Sequence, residues 1–168
     1  MSCNNLENIL LGCDNPVGGI KRLLINSSDN VTSIAASAST WTINTIGVTG
    51  SQFTQVEFRK NLGTYAEPYT MEPDGAIIYT PEIVIPIHGR DAAKSRKISI
   101  LAEGQRYLDI IVEDNKGQYI YFPEMQLSAV ADGSGAAKTE ASKYTITFTG
   151  ENENLAYYVD PSIIAGLL

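Results

Sequence analysis

Residues 107–125 read YLDIIVEDNKGQYIYFPEM, and this stretch decides the fold class. Leu108, Ile110 and Val112 alternate with Asp109, Ile111 and Glu113, then Asp114, Asn115, Lys116 and Gly117 supply turn chemistry, and a second run, 118–122, follows. Two runs rich in Ile, Val, Tyr and Phe on either side of a short polar loop read as a β-hairpin, with Gly117 free to take the positive φ that such a turn commonly demands. A hairpin with one apolar face is not stable alone in water, so the rest of the chain, or a neighbouring subunit, must cover it.

Upstream, residues 89–105 (GRDAAKSRKISILAEGQ) are the one convincing helix. Asp91 can cap it, Ile98, Leu101 and Ala102 fall on one face, and Lys94, Arg96 and Lys97 form a basic side. Before it, residues 76–87 (AIIYTPEIVIPI) are a long extended run whose Pro81 and Pro86 argue against a strand flanked on both sides. Residues 52–60 and 64–72 read as strands around an Asn61-Leu62-Gly63 turn, with Pro68 marking an edge or bulge, and Pro73-Asp74-Gly75 is a further turn. Residues 20–26 (IKRLLIN) are a strand, and the Thr/Ser/Ala-rich segment 31–50 reads as two short ones. Trp41, without a second aromatic at strand spacing, reads as a core or interface residue. Downstream, 126–131 is a further strand and 132–137 a loop; 144–149 (YTITFT) and 155–159 end the strand series. The tail 161–168 (PSIIAGLL) has no charged side chain and reads as docked.

With 168 residues the chain is about one domain. Lys and Arg number 12 against 19 Asp and Glu, for a net charge of −7, so its surface should repel a phosphate backbone. That balance excludes a nucleic-acid reader, yet it suits the wall of a channel through which DNA passes without sticking. Charged residues make up only 18% of the chain, which leaves room for subunit contacts.

Catalytic and metal signatures are missing from the sequence. Cys3 and Cys13 have no His nearby and the sole His is His88, so zinc spacing is absent and no metal or cofactor is expected. There is no Gly-x-Ser-x-Gly, no phosphate-binding Gly-rich loop ending in Lys and no His-Glu-x-x-His. His88 and Asp91 could suggest proton transfer, but a helix cap explains them, and the expectation is a protein that is not an enzyme. Leu10-Leu11-Gly12-Cys13 imitates a lipoprotein cleavage box. The preceding MSCNNLENI lacks the basic flank and apolar length of an export signal, so synthesis in the cytoplasm with no membrane partner is expected. The alternative class is an exported lipoprotein or glycan-binding β module using the pairs Tyr119/Tyr121 and Tyr157/Tyr158.

The helix at 91–104, the strand 108–113 with its Asp114–Gly117 turn, the Gly-Ser-Gly-Ala-Ala loop at 133–137 and the strand 144–150 running into 155–159 follow one another in a familiar order. In that order, and in the opening 3–19 followed by Lys21 and Arg22, the chain resembles the tail tube proteins of tailed bacteriophages, in the forms carried by phages and prophages of gut Bacteroidetes. Between Val31 and Ile87 the likeness is architectural only. The resemblance implies a mainly β fold, a β-sandwich or barrel with one flanking α-helix, as a single domain over 1–168 with an N-terminal arm 1–19 and a C-terminal tail 160–168. It implies homo-oligomeric rings, commonly hexameric, whose strands join across subunits around a lumen that conducts DNA non-specifically, in contact with other tail or connector proteins of the virion. By analogy, residues 53–87 supply hairpins to the lumen, and Glu57, Glu67, Glu72 and Asp74 face it or its rim. Leu6 and Leu10 of the arm and Ile163, Ile164, Leu167 and Leu168 of the tail would clasp a neighbour. No long inter-ring insertion stands out, which fits a single ring or short stack in a short-tailed, crAss-like virion. An inner-tube protein of a contractile injection or secretion system would share the fold.

Overall fold

The computed structural model describes residues 18–59, 61–133 and 142–168. The chain is mainly β, with two helices. In chain order the strands are β1 (Ile20–Ser27), β2 (Val31–Ser37), β3 (Thr42–Val48), β4 (Thr54–Glu57), β5 (Thr64–Ala66), β6 (Tyr69–Met71), β7 (Ile77–Tyr79) and β8 (Glu82–His88). Helix α1 (Ala92–Ala102) leads to β9 (Leu108–Asp114), β10 (Tyr119–Gly133), β11 (Lys143–Thr149), β12 (Tyr157–Val159) and helix α2 (Pro161–Leu167).

The predicted hairpin is present as β9–β10, and its turn is fixed by one side chain. Asp114 accepts the backbone N–H groups of Lys116 and Gln118 at 2.8 Å each, and Gly117 takes φ +80°. The second arm is longer than expected. Residues 118–122 and 126–131 are parts of one 15-residue strand, because Pro123 and Glu124 sit in a bulge where the register shifts and no ladder N–H is required of the proline. Beyond the bulge the strand leaves β9 and pairs with β11. One strand therefore belongs to two leaves: β4-β1-β9-β10-β12-β3-β2 and β10-β11-β8-β5.

The ten-stranded sheet so formed curls into a half-barrel. An isolated bridge between Ile20 of β1 and Gly63, just ahead of β5, links the two leaves a second time. A Cβ at Gly63 would lie 2.7 Å from the Phe58 ring and 3.3 Å from Ile20 Cβ, so glycine lets this joint close. Inside the curl, Leu23, Ile110, Val112, Ile120, Phe122 and Phe148 form the centre of a core that α1 caps with Ile98 and Leu101. The run 76–87 is divided into β7 and β8. Pro86 is tolerated because β5 pairs only with Glu82–Val84, leaving the chain at the proline with β11 alone.

Two expectations need correction. The residues between Leu108, Ile110 and Val112 do not face water, since every residue of β9 is buried. Ile111 joins Leu24, Ile43, Phe53, Tyr121 and Val159 in a second core on the outer face of that leaf. The fold also has a second helix, because the tail forms α2, capped by Asp160 through the Ser162 N–H at 2.8 Å. Ile164 and Leu167 bury themselves in the second core, and the Leu167 carbonyl accepts the Phe53 N–H at 2.9 Å.

Candidate assembly surface

Strands β6 and β7 stand apart as a two-stranded sheet. Tyr69 pairs with Tyr79 and Met71 with Ile77, so these four side chains share one face, with Thr70 and Ile78 on the other. Tyr69 is 63% exposed, Met71 64% and Ile77 42%. The tip between them is Glu72-Pro73-Asp74-Gly75-Ala76, tightened by the Gly75 N–H to the Glu72 carbonyl and by Asp74, which accepts the Ala76 N–H at 3.2 Å. At its base the hairpin is tied to the body by Tyr79 and Asn152, whose backbones exchange two bonds of 2.8 Å. An apolar face on a two-stranded hairpin has too little of its own to pack against.

The four carboxylates singled out in the sequence do not form one cluster. Glu72 and Asp74 are together at the hairpin tip and exposed. Glu57 is exposed on β4, opposite Arg22 in register, and accepts from the Gln55 amide. Glu67 is half-buried and accepts the Ala156 N–H at 2.8 Å, beside a groove of about 450 Å³ that it lines with Gly19, Tyr65 and Asp114. Burial raises the Glu67 pKa, more than its bond to Ala156 lowers it. Its charged form is therefore a cost to the folded state above the usual carboxyl range, and that cost vanishes as pH falls below it. Glu67→Gln, which keeps an acceptor for Ala156, should raise the midpoint of urea unfolding at neutral pH, with the gain disappearing near pH 4; a lower midpoint at neutral pH would contradict this reading.

Among the tail residues, Ile164 and Leu167 are 4% and 5% exposed within the chain's own core, Ile163 packs against that core, and Leu168 stands 45% exposed. Leu6 and Leu10, the arm 1–17, both cysteines and most of the 133–137 loop lie outside the described residues.

Sequence reading missed the polar rows buried on the outer face of the β1–β9–β10 leaf. At one end Glu113, 3% exposed, receives Lys21 Nζ at 2.6 Å and the Arg22 guanidinium, which also donates to Gln55 at 2.9 Å and to the Tyr119 hydroxyl at 3.2 Å. Burial pushes the Glu113 carboxyl up, but the bonds from Lys21 and Arg22 prevail and hold its pKa below the usual range. At the other end Asp109, 4% exposed, accepts Ser28 Oγ at 2.6 Å, the Glu124 N–H at 3.1 Å and the Tyr121 hydroxyl. The Lys21-Arg22 pair opposite Glu113 was the available signal, since adjacent cations in an apolar strand need acceptors.

Elsewhere the chemistry is structural. Asp91 accepts the Lys94 N–H at 2.7 Å as the cap of α1, and Lys94 Nζ returns to the His88 and Gly89 carbonyls. Trp41 does have an aromatic partner. Its ring stacks on Tyr157 with centroids 4.3 Å apart, and its indole N–H donates to the Ala156 carbonyl. Among the described residues no three His, Cys, Asp or Glu side chains gather as metal ligands, and no helix is long and apolar enough to cross a membrane. The chain matches no protein-family model and no curated protein.

Proposed function

We propose that this chain is a virion structural protein, a ring-forming subunit of a phage tail tube or tail ring whose assembled lumen conducts DNA during ejection. The observation that carries the reading is the β6–β7 hairpin, which presents Tyr69, Met71 and Ile77 to solvent on one face. Such a face is stabilised when a neighbouring subunit covers it, and it lies within the segment 53–87 that the resemblance assigns to the hairpins lining the lumen. The mainly β, curled sheet agrees with the sandwich or barrel of that family. Function then follows from geometry and wall charge. A net charge of −7 keeps a phosphate backbone from adhering, and Glu57, Glu72 and Asp74 are exposed and available to the wall or its rim.

Light scattering on the size-exclusion peak of the purified full chain, with negative-stain imaging of the same fractions, tests this reading. Rings or short stacks with a central hole are expected, with a mass that is an integral multiple of 18.2 kDa and commonly six-fold. A monomer at the highest soluble concentration, with no rings on the grid, would overturn it.

A further inference from the structure

The charge around the exposed hairpin face points to the surface that covers it. Beside Tyr69, Met71 and Ile77, the hairpin carries Glu72 and Asp74 at its tip. Among the described residues neither carboxylate meets a Lys or Arg within ion-pair distance. The opposite combination occurs on α1. Arg96 and Lys97 are exposed and, among the described residues, join no ion pair. Ile100 follows them by four and three positions, which puts it on the same side of the helix, and it is 43% exposed. Tyr107, just beyond the helix, is 56% exposed. One chain thus bears exposed apolar side chains beside carboxylates on the hairpin, and an exposed apolar side chain beside cations on the helix.

Different but complementary patches make a heterologous contact, the kind that closes into a ring or grows as a stack. With a net charge of −7, two copies repel over most approaches. A cationic helix beside an apolar patch is where an acidic hairpin can approach with attraction instead.

We infer that the β6–β7 hairpin of one copy docks on α1 of a second copy, with Glu72 and Asp74 facing Arg96 and Lys97, and with Tyr69, Met71 and Ile77 covered against Ile100 and Tyr107. The inference rests on the self-assembly reading and adds to it the identity of the two faces that meet. It places Glu72 and Asp74 at the joint on the rim and leaves Glu57 to the wall.

A charge-swap series on the full chain tests it, with assembly read by light scattering and folding by near-ultraviolet circular dichroism. Glu72→Lys/Asp74→Lys and Arg96→Glu/Lys97→Glu should each weaken self-association roughly tenfold or more, because two attractive pairs become repulsive. The chain carrying all four substitutions should recover most of the wild-type association. Raising sodium chloride from about 0.05 to 0.5 M should weaken the wild type in the same direction, as screening shortens the reach of the pairs. Assembly of both two-site variants at wild-type strength would overturn the inference while leaving the ring reading intact, and would assign the hairpin's cover to another surface. Failure of the folded four-site variant to recover would overturn it equally. A wild type that stays monomeric in the same experiment would remove both.

Discussion

Asp109→Ala should lower the free energy of unfolding by about 3 to 4 kcal/mol, measured by urea denaturation at neutral pH. The reason is the number of donors that converge on a carboxylate with almost no solvent. Ser28 Oγ, the Glu124 N–H and the Tyr121 hydroxyl all donate to it, and Tyr121 is itself 2% exposed. Each donor left buried without an acceptor costs about 1 to 3 kcal/mol. Ser28 and Glu124 lie nearer solvent and can recruit water, which keeps the total below the sum, but Tyr121 has no such recourse. Burial first, and the Asp109 charge second, push the Tyr121 phenol far above its usual pKa, so it remains a donor throughout the accessible pH range. The test for this assignment is coupling. Tyr121→Phe alone should cost about 1 to 2 kcal/mol, yet cost little once Asp109 is already Ala, since the hydroxyl then has no acceptor to lose. Additive losses, or an Asp109→Ala loss below about 1 kcal/mol, would show that the carboxylate does not hold this end of the sheet together.

That Asp109 holds the leaf together was not legible from its position in the chain. Alternation along β9 correctly separates Leu108, Ile110 and Val112 from Asp109, Ile111 and Glu113. It states which residues share a face and is silent on whether another layer covers that face. Here the cover comes from far along the sequence, from β3 and from α2, so the polar side of the strand became a buried row with partners on β1 and β10. The hairpin itself was legible because its determinants are local: Asp114 closes the turn on the backbone two and four residues on, and Gly117 takes the positive φ. The runs 118–122 and 126–131 read as separate strands, yet the bulge at Pro123 and Glu124 joins them in one. The Asn-Leu-Gly turn at 61–63 was visible as a turn. That Gly63 also links the two leaves depends on the approach of Phe58 and Ile20, which no local pattern encodes. As for the candidate surface, Pro73-Asp74-Gly75 marked its tip, whereas the exposure of Tyr69, Met71 and Ile77 is a property of the whole fold. An apolar residue in a short strand reads the same whether its own chain covers it or not.

That ambiguity makes the hairpin the place where a substitution should separate folding from assembly most sharply. Tyr69→Ser/Met71→Ser/Ile77→Ser removes three side chains that are each more than 40% exposed, so the monomer should lose little stability and its melting temperature should move by no more than a few degrees. Self-association should respond very differently. If these residues are the anchors of a subunit contact, each truncation costs about 1 to 2 kcal/mol of binding, and the three together weaken association by roughly two to four orders of magnitude. Rings would then be absent at concentrations where the wild type forms them. Sedimentation velocity over a dilution series reads the change in association, and a thermal melt at a dilution where the wild type is also dissociated reads the fold. Unchanged rings would mean that the exposed face has no part in the contact, and the reading that rests on it would fall. A collapse of the melting temperature would mean that the monomer's own fold depends on this face, and assembly would then have to be sought at another surface. Loss of rings with an intact melt is the expected result, because a side chain in contact with water in the monomer stabilises chiefly what it later touches.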